Sequence, residues 1–144
     1  MADNCLFCRI ISGELPGQFV YRDEQIAAFR DIHPVAPTHV LVVPTQHIES
    51  LAAAANEHQA IASSDSAPAI EGRRRKGAPR RIVERTWYEA TMGRLLLVAA
   101  EIAQSEGLSE RGYRVVINTG PDSGSEVAHL HIHIIGGRQM RALG

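Results

Sequence analysis

Apolar and polar positions alternate strictly over HLHIHII, from His129 to Ile135. A period of two rich in branched apolar residues predicts a β-strand. Leu130, Ile132 and Ile134 then share one face, and His129, His131 and His133 share the other. The pair Gly136–Gly137 ends the pattern. Other short apolar runs predict strands at Gln18–Tyr21, Gln25–Phe29, His39–Val43 (stopped by Pro44) and Tyr113–Ile117. Arg22–Glu24 reads as a charged turn between the first two. Longer stretches predict helices at 48–62, which is Ala-rich, and at 87–106, closed by Gly107. Cys5–Ile11 predicts a short opening helix closed by Gly13. Asp31–Pro37 and Asn118–Ser125 are loops, the second rich in Gly, Ser and Asp. About five short strands with two main helices make an α+β pattern without internal repeats.

Residues 63–86 break the pattern. They are polar, contain Pro and Gly, and hold seven of the 15 Lys and Arg residues but three of the 16 Asp and Glu. This segment carries a net charge of +4 and the other 120 residues −5. It is expected to be a flexible insertion between the helices, with Arg80–Arg85 able to extend the second one. It is either a patch for an acidic partner or a solvated loop.

Composition adds bounds. A chain of 144 residues, 44% hydrophobic, suffices for one domain with a real core. A net charge of −1 supplies no field that would steer it to nucleic acid. No apolar run is long enough to span a bilayer, and MADNCLFCRI lacks the form of a secretory signal. The cytoplasm is the expected location. There, Cys5 and Cys8 read as half of a zinc site, as a redox pair, or as small apolar packing.

Three imidazoles on one strand face lie roughly 6.5–7 Å apart. That is too far for neighbours to share one metal easily, so separate roles are expected. Of the other histidines, His58 reads as a surface residue, while His33 is undecided. Glycines in the 118–125 loop would let backbone N–H groups approach an anion, but the same composition suits a plain connection. Asp31 is a turn-former before Pro34 or a ligand-binding acid.

Several stretches together resemble a known family. CLFCRIISGELP, AFRDIHPVAPTHVLVVPTQHI, YRVVINTG and HLHIHIIGGRQM are similar, in order, to the Hint branch of the histidine triad (HIT) proteins. The resemblance covers 5–50 and 87–140. It implies a HIT-like fold, with a five-stranded antiparallel sheet continued across a homodimer, and residues 1–144 as a single HIT domain. It implies hydrolysis of nucleoside 5′-phosphoramidates through a covalent nucleotidyl-histidine, releasing AMP or GMP. His131 is then the nucleophile, assisted by His133 and His39. A purine nucleotide would contact Asp31, Ile32, Phe29, Asn118, Gly124, Ser125 and Glu126. Some relatives hold zinc with residues matching Cys5, Cys8, His47 and His129, a closed structural Cys₂His₂ set.

Three features depart from the family pattern: the 63–86 insertion, a tail of only RALG after GGRQM, and Ser125–Glu126, where Glu126 places an acid beside the phosphate loop. Rival readings are a dinucleoside polyphosphate hydrolase and a nucleotide-binding regulator or scaffold with little turnover. Nucleic-acid binding through RRRK at 73–76 is not expected, because the run lacks interleaved aromatics.

Overall fold

The computed structural model describes residues 4–64 and 80–143. Strands β1 (Phe19–Arg22), β2 (Ile26–Arg30), β3 (Thr38–Pro44), β4 (Tyr113–Val116) and β5 (Ile132–Gly136) form one sheet in the order β1-β2-β3-β5-β4. Every neighbouring pair is antiparallel. Helices are α1 (Leu6–Ile11), α2 (Leu51–Ser64) and α3 (Arg80–Ser105). The expected α+β architecture is the observed one.

Alternation builds two cores on the two sheet faces. Ile26, Ala28, Val40, Val42, Ile132 and Ile134 face α3 and meet Leu95, Val98, Ala99 and Ile102. Ala27, Phe29, Leu41 and Val43 face the other way, where α1 covers them with Cys5 and Phe7. Each large side chain so buried contributes about 1.5–3 kcal/mol. Arg94 fastens α3 to the β1–β2 turn through Asp23 and Gln25. Arg30 pairs with Glu106 at 2.7 Å near the end of α3.

The histidine strand begins later than its pattern implies. Leu130, Ile132 and Ile134 are buried toward α3, as alternation requires, but the ladder starts only at Ile132. β3, the partner of β5, ends at Pro44. The backbone before Ile132 therefore bonds elsewhere: Leu130 N–H donates to Ile48 C=O at 2.6 Å, and His129 N–H to Val127 C=O at 2.9 Å. The strand also runs through Gly136, where a Cβ would come within 2.8 Å of Leu108. Gly137, at φ +92°, makes the turn that follows.

The boundaries around the expected 63–86 insertion also differ. Ser63 and Ser64 continue α2, and Arg80–Thr86 belong to α3. The tract between them, including RRRK at 73–76, lies outside the described residues. Among the described residues, no helix is long and apolar enough to cross a membrane.

Candidate active site and metal clasp

Register explains why residues distant in sequence meet. Phe19, Phe29, Leu41, His133 and Val116 pair successively across the sheet and form one row. His39 pairs with Ile135, one step along the same face, and so becomes the diagonal neighbour of His133. Their rings touch, with His39 Nε2 2.9 Å from His133 Nδ1.

Fixed acceptors and donors assign the tautomers. His131 Nδ1 lies 2.6 Å from His129 C=O, a group that only accepts. Nδ1 therefore carries a proton, so in the neutral ring the lone pair is on Nε2. Val35 N–H donates to His39 Nδ1 at 3.2 Å. His39 must then carry its proton on Nε2, which faces His133 Nδ1, with Asp31 Oδ2 at 3.4 Å. His133 in turn carries its proton on Nε2. That atom is buried and has no hydrogen-bond partner. Burial, reinforced by neighbouring His131 and His39, pushes His133 down to about 4. Burial also lowers His39, partly offset by the Asp31 charge. Both are neutral near pH 7.

A cleft of about 1060 Å³ opens over this row. It is lined by Phe29, Asp31, Ile32, Asn118, Gly124, Ser125, Glu126, His131 and His133, so the expected nucleotide-binding set is brought together. His39 lies behind His133, 6% exposed. Phe29 is almost wholly buried, whereas Ile32 is 84% exposed. Asp31 does form a local turn, accepting His33 N–H at 2.8 Å, and lines the cleft as well. His58 is a surface residue bonded to Glu89 at 2.7 Å. His33 lines the cleft from its exposed loop. The phosphate-loop candidate turns through Gly120 and Gly124, both at positive φ, around a 3₁₀ turn at Pro121–Ser123.

One wall was not expected. Leu6, Phe7 and Ile10 of α1 line the same cleft, and the Phe7 ring stands edge-on to His131 at 5.1 Å. The apolar spacing of LFCRII carried the signal, but CxxC drew attention to the cysteines alone.

Cys5, Cys8, His47 and His129 converge, each offering a donor atom within 4.8 Å of the others. His129 Nδ1 is 3.3 Å from Cys5 Sγ and 3.5 Å from Cys8 Sγ, and His47 Nδ1 is 3.4 Å from Cys8 Sγ. Zinc–sulfur bonds near 2.3 Å and zinc–nitrogen bonds near 2.0–2.1 Å give a tetrahedral sulfur–nitrogen edge of about 3.6 Å. The donor set fits. His129 Nε2 donates to Pro44 C=O at 2.9 Å, which leaves Nδ1 free as a ligand. Burial also holds His129 down to about 4, in the neutral form a metal needs. Without a metal, burial and the Cys5 thiol raise Cys8 to about 11. A second group, Asp31, His39 and His133, also has clustered donors. With the tautomers assigned above, His39 Nε2–H donates to His133 Nδ1 and faces the Asp31 carboxylate, so these three form a proton network.

The pattern that defines the HIT domain matches residues 12–140. The chain is 36% identical over 140 residues to the purine nucleoside phosphoramidase of Escherichia coli K12, covering 97% of this chain and 92% of that one. It is 39% identical over 137 residues to a 14 kDa zinc-binding protein of Zea mays, covering 94% and 83%. The crystal structure of a HIT family hydrolase from Legionella pneumophila superposes with a TM-score of 0.68 at 37% identity, covering 96% of each chain. Fold, site and relatives together define the class: the chain belongs to the histidine triad family. Within that class it is a hydrolase of the Hint branch, homologous to a purine nucleoside phosphoramidase.

The lowered His133 has a stability consequence. Its folded value near 4 lies below the ordinary 6.5. Its stabilising contribution is therefore complete above about pH 6.5 and is lost as pH falls toward 4. The size is up to about 2–3 kcal/mol. Urea midpoints of metal-free protein from pH 8 to 4.5 should fall over that window, and His133→Asn should flatten the slope. An unchanged slope would refute the assignment.

Proposed function

We propose that the chain hydrolyses purine nucleoside 5′-phosphoramidates through a covalent nucleotidyl-His131. The observation that carries this reading is the pair of opposite proton states on one cleft: a lone pair at His131 Nε2 and an unpartnered N–H at His133 Nε2. The lone pair attacks phosphorus, and the N–H bonds a phosphoryl oxygen. The P–N bond breaks from the N-protonated phosphoramidate, so a neutral amine leaves. His131 then holds the nucleotide as an imidazolium, its Nδ1–H steadied by His129 C=O. Water attacks phosphorus, one proton passes to solvent, and AMP or GMP departs from a neutral His131.

In this reading Asp31 bonds the ribose hydroxyls, while Phe29 and Ile32 flank the base. Asn118, Gly124, Ser125 and Glu126 surround the phosphate. His39 holds His133 in the donating tautomer. AMP release from adenosine 5′-phosphoramidate is the test. His131→Ala should lower it by roughly 10⁴-fold or more. Equal release by both proteins, or none by either, would sink the reading.

We further propose that Cys5, Cys8, His47 and His129 hold a structural zinc. A cytoplasmic home suits thiols that must stay reduced for this. The metal would clasp α1 to the segment before β5 and supply no chemistry to the substrate. Metal analysis should find one zinc per chain, lost in Cys8→Ser together with a lowered melting temperature. A metal-free wild type that takes up no added zinc would count against it.

The homodimer is the third part of the proposal. Among the described residues β4 is an edge strand with an open side, Val115 on it is 38% exposed, and Leu96 and Leu97 of α3 are 50% and 67% exposed. Light scattering should give twice the chain mass, and Val115→Lys should shift it toward one chain. A wild type of single-chain mass would refute the dimer.

A further inference from the structure

We propose that a second cleft, between the α3–β4 turn and the segment after β5, binds a small anion of the phosphate class carrying two or more negative charges. The cleft holds about 400 Å³ and shares no lining residue with the nucleotide cleft. Three arginines line it, Arg111, Arg114 and Arg138, and among the described residues no carboxylate does.

Like Arg22 and Arg141, these three arginines have no carboxylate partner among the described residues, but unlike those two they share one cleft. Arg9, Arg30, Arg85 and Arg94 each pair with an Asp or Glu. Among the described residues, none of the three cleft arginines does. Glu110 stands next to Arg111 in sequence but forms no ion pair with it among the described residues, and Glu106 is taken by Arg30. Arg138 donates only to carbonyls, to Val35 at 2.9 Å and Gln139 at 3.1 Å. Arg114 donates to Arg141 C=O at 2.5 Å. Such bonds aim a guanidinium without neutralising it, and each guanidinium has five N–H donors, so several remain for a ligand.

The walls favour a compact, highly charged guest. Leu108, Tyr113 and Met140 give the cleft apolar surface, beside which charge interactions strengthen. Planar guanidinium forks match phosphate oxygens two at a time. In a chain of net charge −1, this local excess of positive charge has no bulk cause. A bounded cleft, rather than a basic stripe, selects a small phosphorylated compound over a nucleic acid.

Calorimetry of the full-length protein with inorganic triphosphate at low salt tests the proposal. One site per chain is expected, persisting when excess AMP fills the nucleotide cleft and weakening as salt rises. Arg111→Ala/Arg114→Ala should weaken triphosphate binding by about tenfold or more while AMP binding is unchanged. Arg138 is left intact, because its bond to Val35 C=O supports the loop that holds His39. Arg111→Ala alone serves as the second variant: its side chain is exposed and makes no hydrogen bond or ion pair among the described residues, so the fold is not at stake. No triphosphate binding by the wild type, binding by both variants as tight as the wild type's, or complete displacement by AMP would each overturn the site. None of these outcomes bears on the phosphoramidase reading, which the His131→Ala comparison decides separately.

Discussion

The site turns on one backbone atom, the carbonyl oxygen of His129, 2.6 Å from His131 Nδ1. A neutral imidazole has one N–H and one lone pair, and whichever nitrogen bonds an acceptor decides where the other faces. Here the acceptor belongs to the residue two positions earlier on the same segment, so any shift of His129 moves the proposed nucleophile. His129 is correspondingly pinned. Its ring is 0% exposed, its Nε2 is tied to Pro44 C=O, and its Nδ1 faces both cysteines. Leu130, next in line, is tied to Ile48, the neighbour of His47. The proposed clasp and the proposed nucleophile are thus consecutive parts of one piece of chain.

Phe7 gives the clasp a second route to the same ring. It sits between Cys5 and Cys8, is 4% exposed, and stands edge-on to both His129 and His131. It also contacts Phe29, which contacts Phe19. Closing α1 onto the sheet therefore dries one side of the histidine row and builds the apolar wall of the cleft. A six-residue helix has too few hydrogen bonds to hold itself in place. Packing of Phe7, and donor atoms at its N-cap, do that for it.

Much of this was legible in the sequence because period-two alternation is a strong constraint. Leu130, Ile132 and Ile134 went to the α3 side and the three histidines to the other, as the pattern required. The separate surroundings of the three imidazoles also followed, although their rings lean together: His131 and His133 stand 4.9 Å apart by centroid, closer than strand spacing alone implies. What alternation cannot show is where pairing starts. The ladder begins at Ile132 because Pro44 ends the partner strand, a tertiary fact. The contact of His39 with His133 depends on register between strands 94 residues apart, and needed either the resemblance or the structure. Leu6, Phe7 and Ile10 escaped because a short helix with two cysteines has a ready metal-site explanation, which hid its role as a wall.

The charges in the cleft explain why tautomers matter so much here. Arg30 lines it, but Glu106 neutralises that guanidinium. The other ionisable groups lining it are Asp31, Glu126 and histidines, of which His133 is neutral near pH 7. Among the described residues, no uncompensated Lys or Arg lines this cleft. Attraction must then come from N–H dipoles: His133 Nε2–H and whatever backbone amides the 118–125 loop presents. A donor set without net charge binds an anion through geometry, and it does so only while each proton is on the correct nitrogen. The chain of bonds from Val35 N–H through His39 to His133 fixes that choice before any ligand arrives. Under the proposed reaction, the same economy of charge limits how tightly a monophosphate product is held beside Glu126.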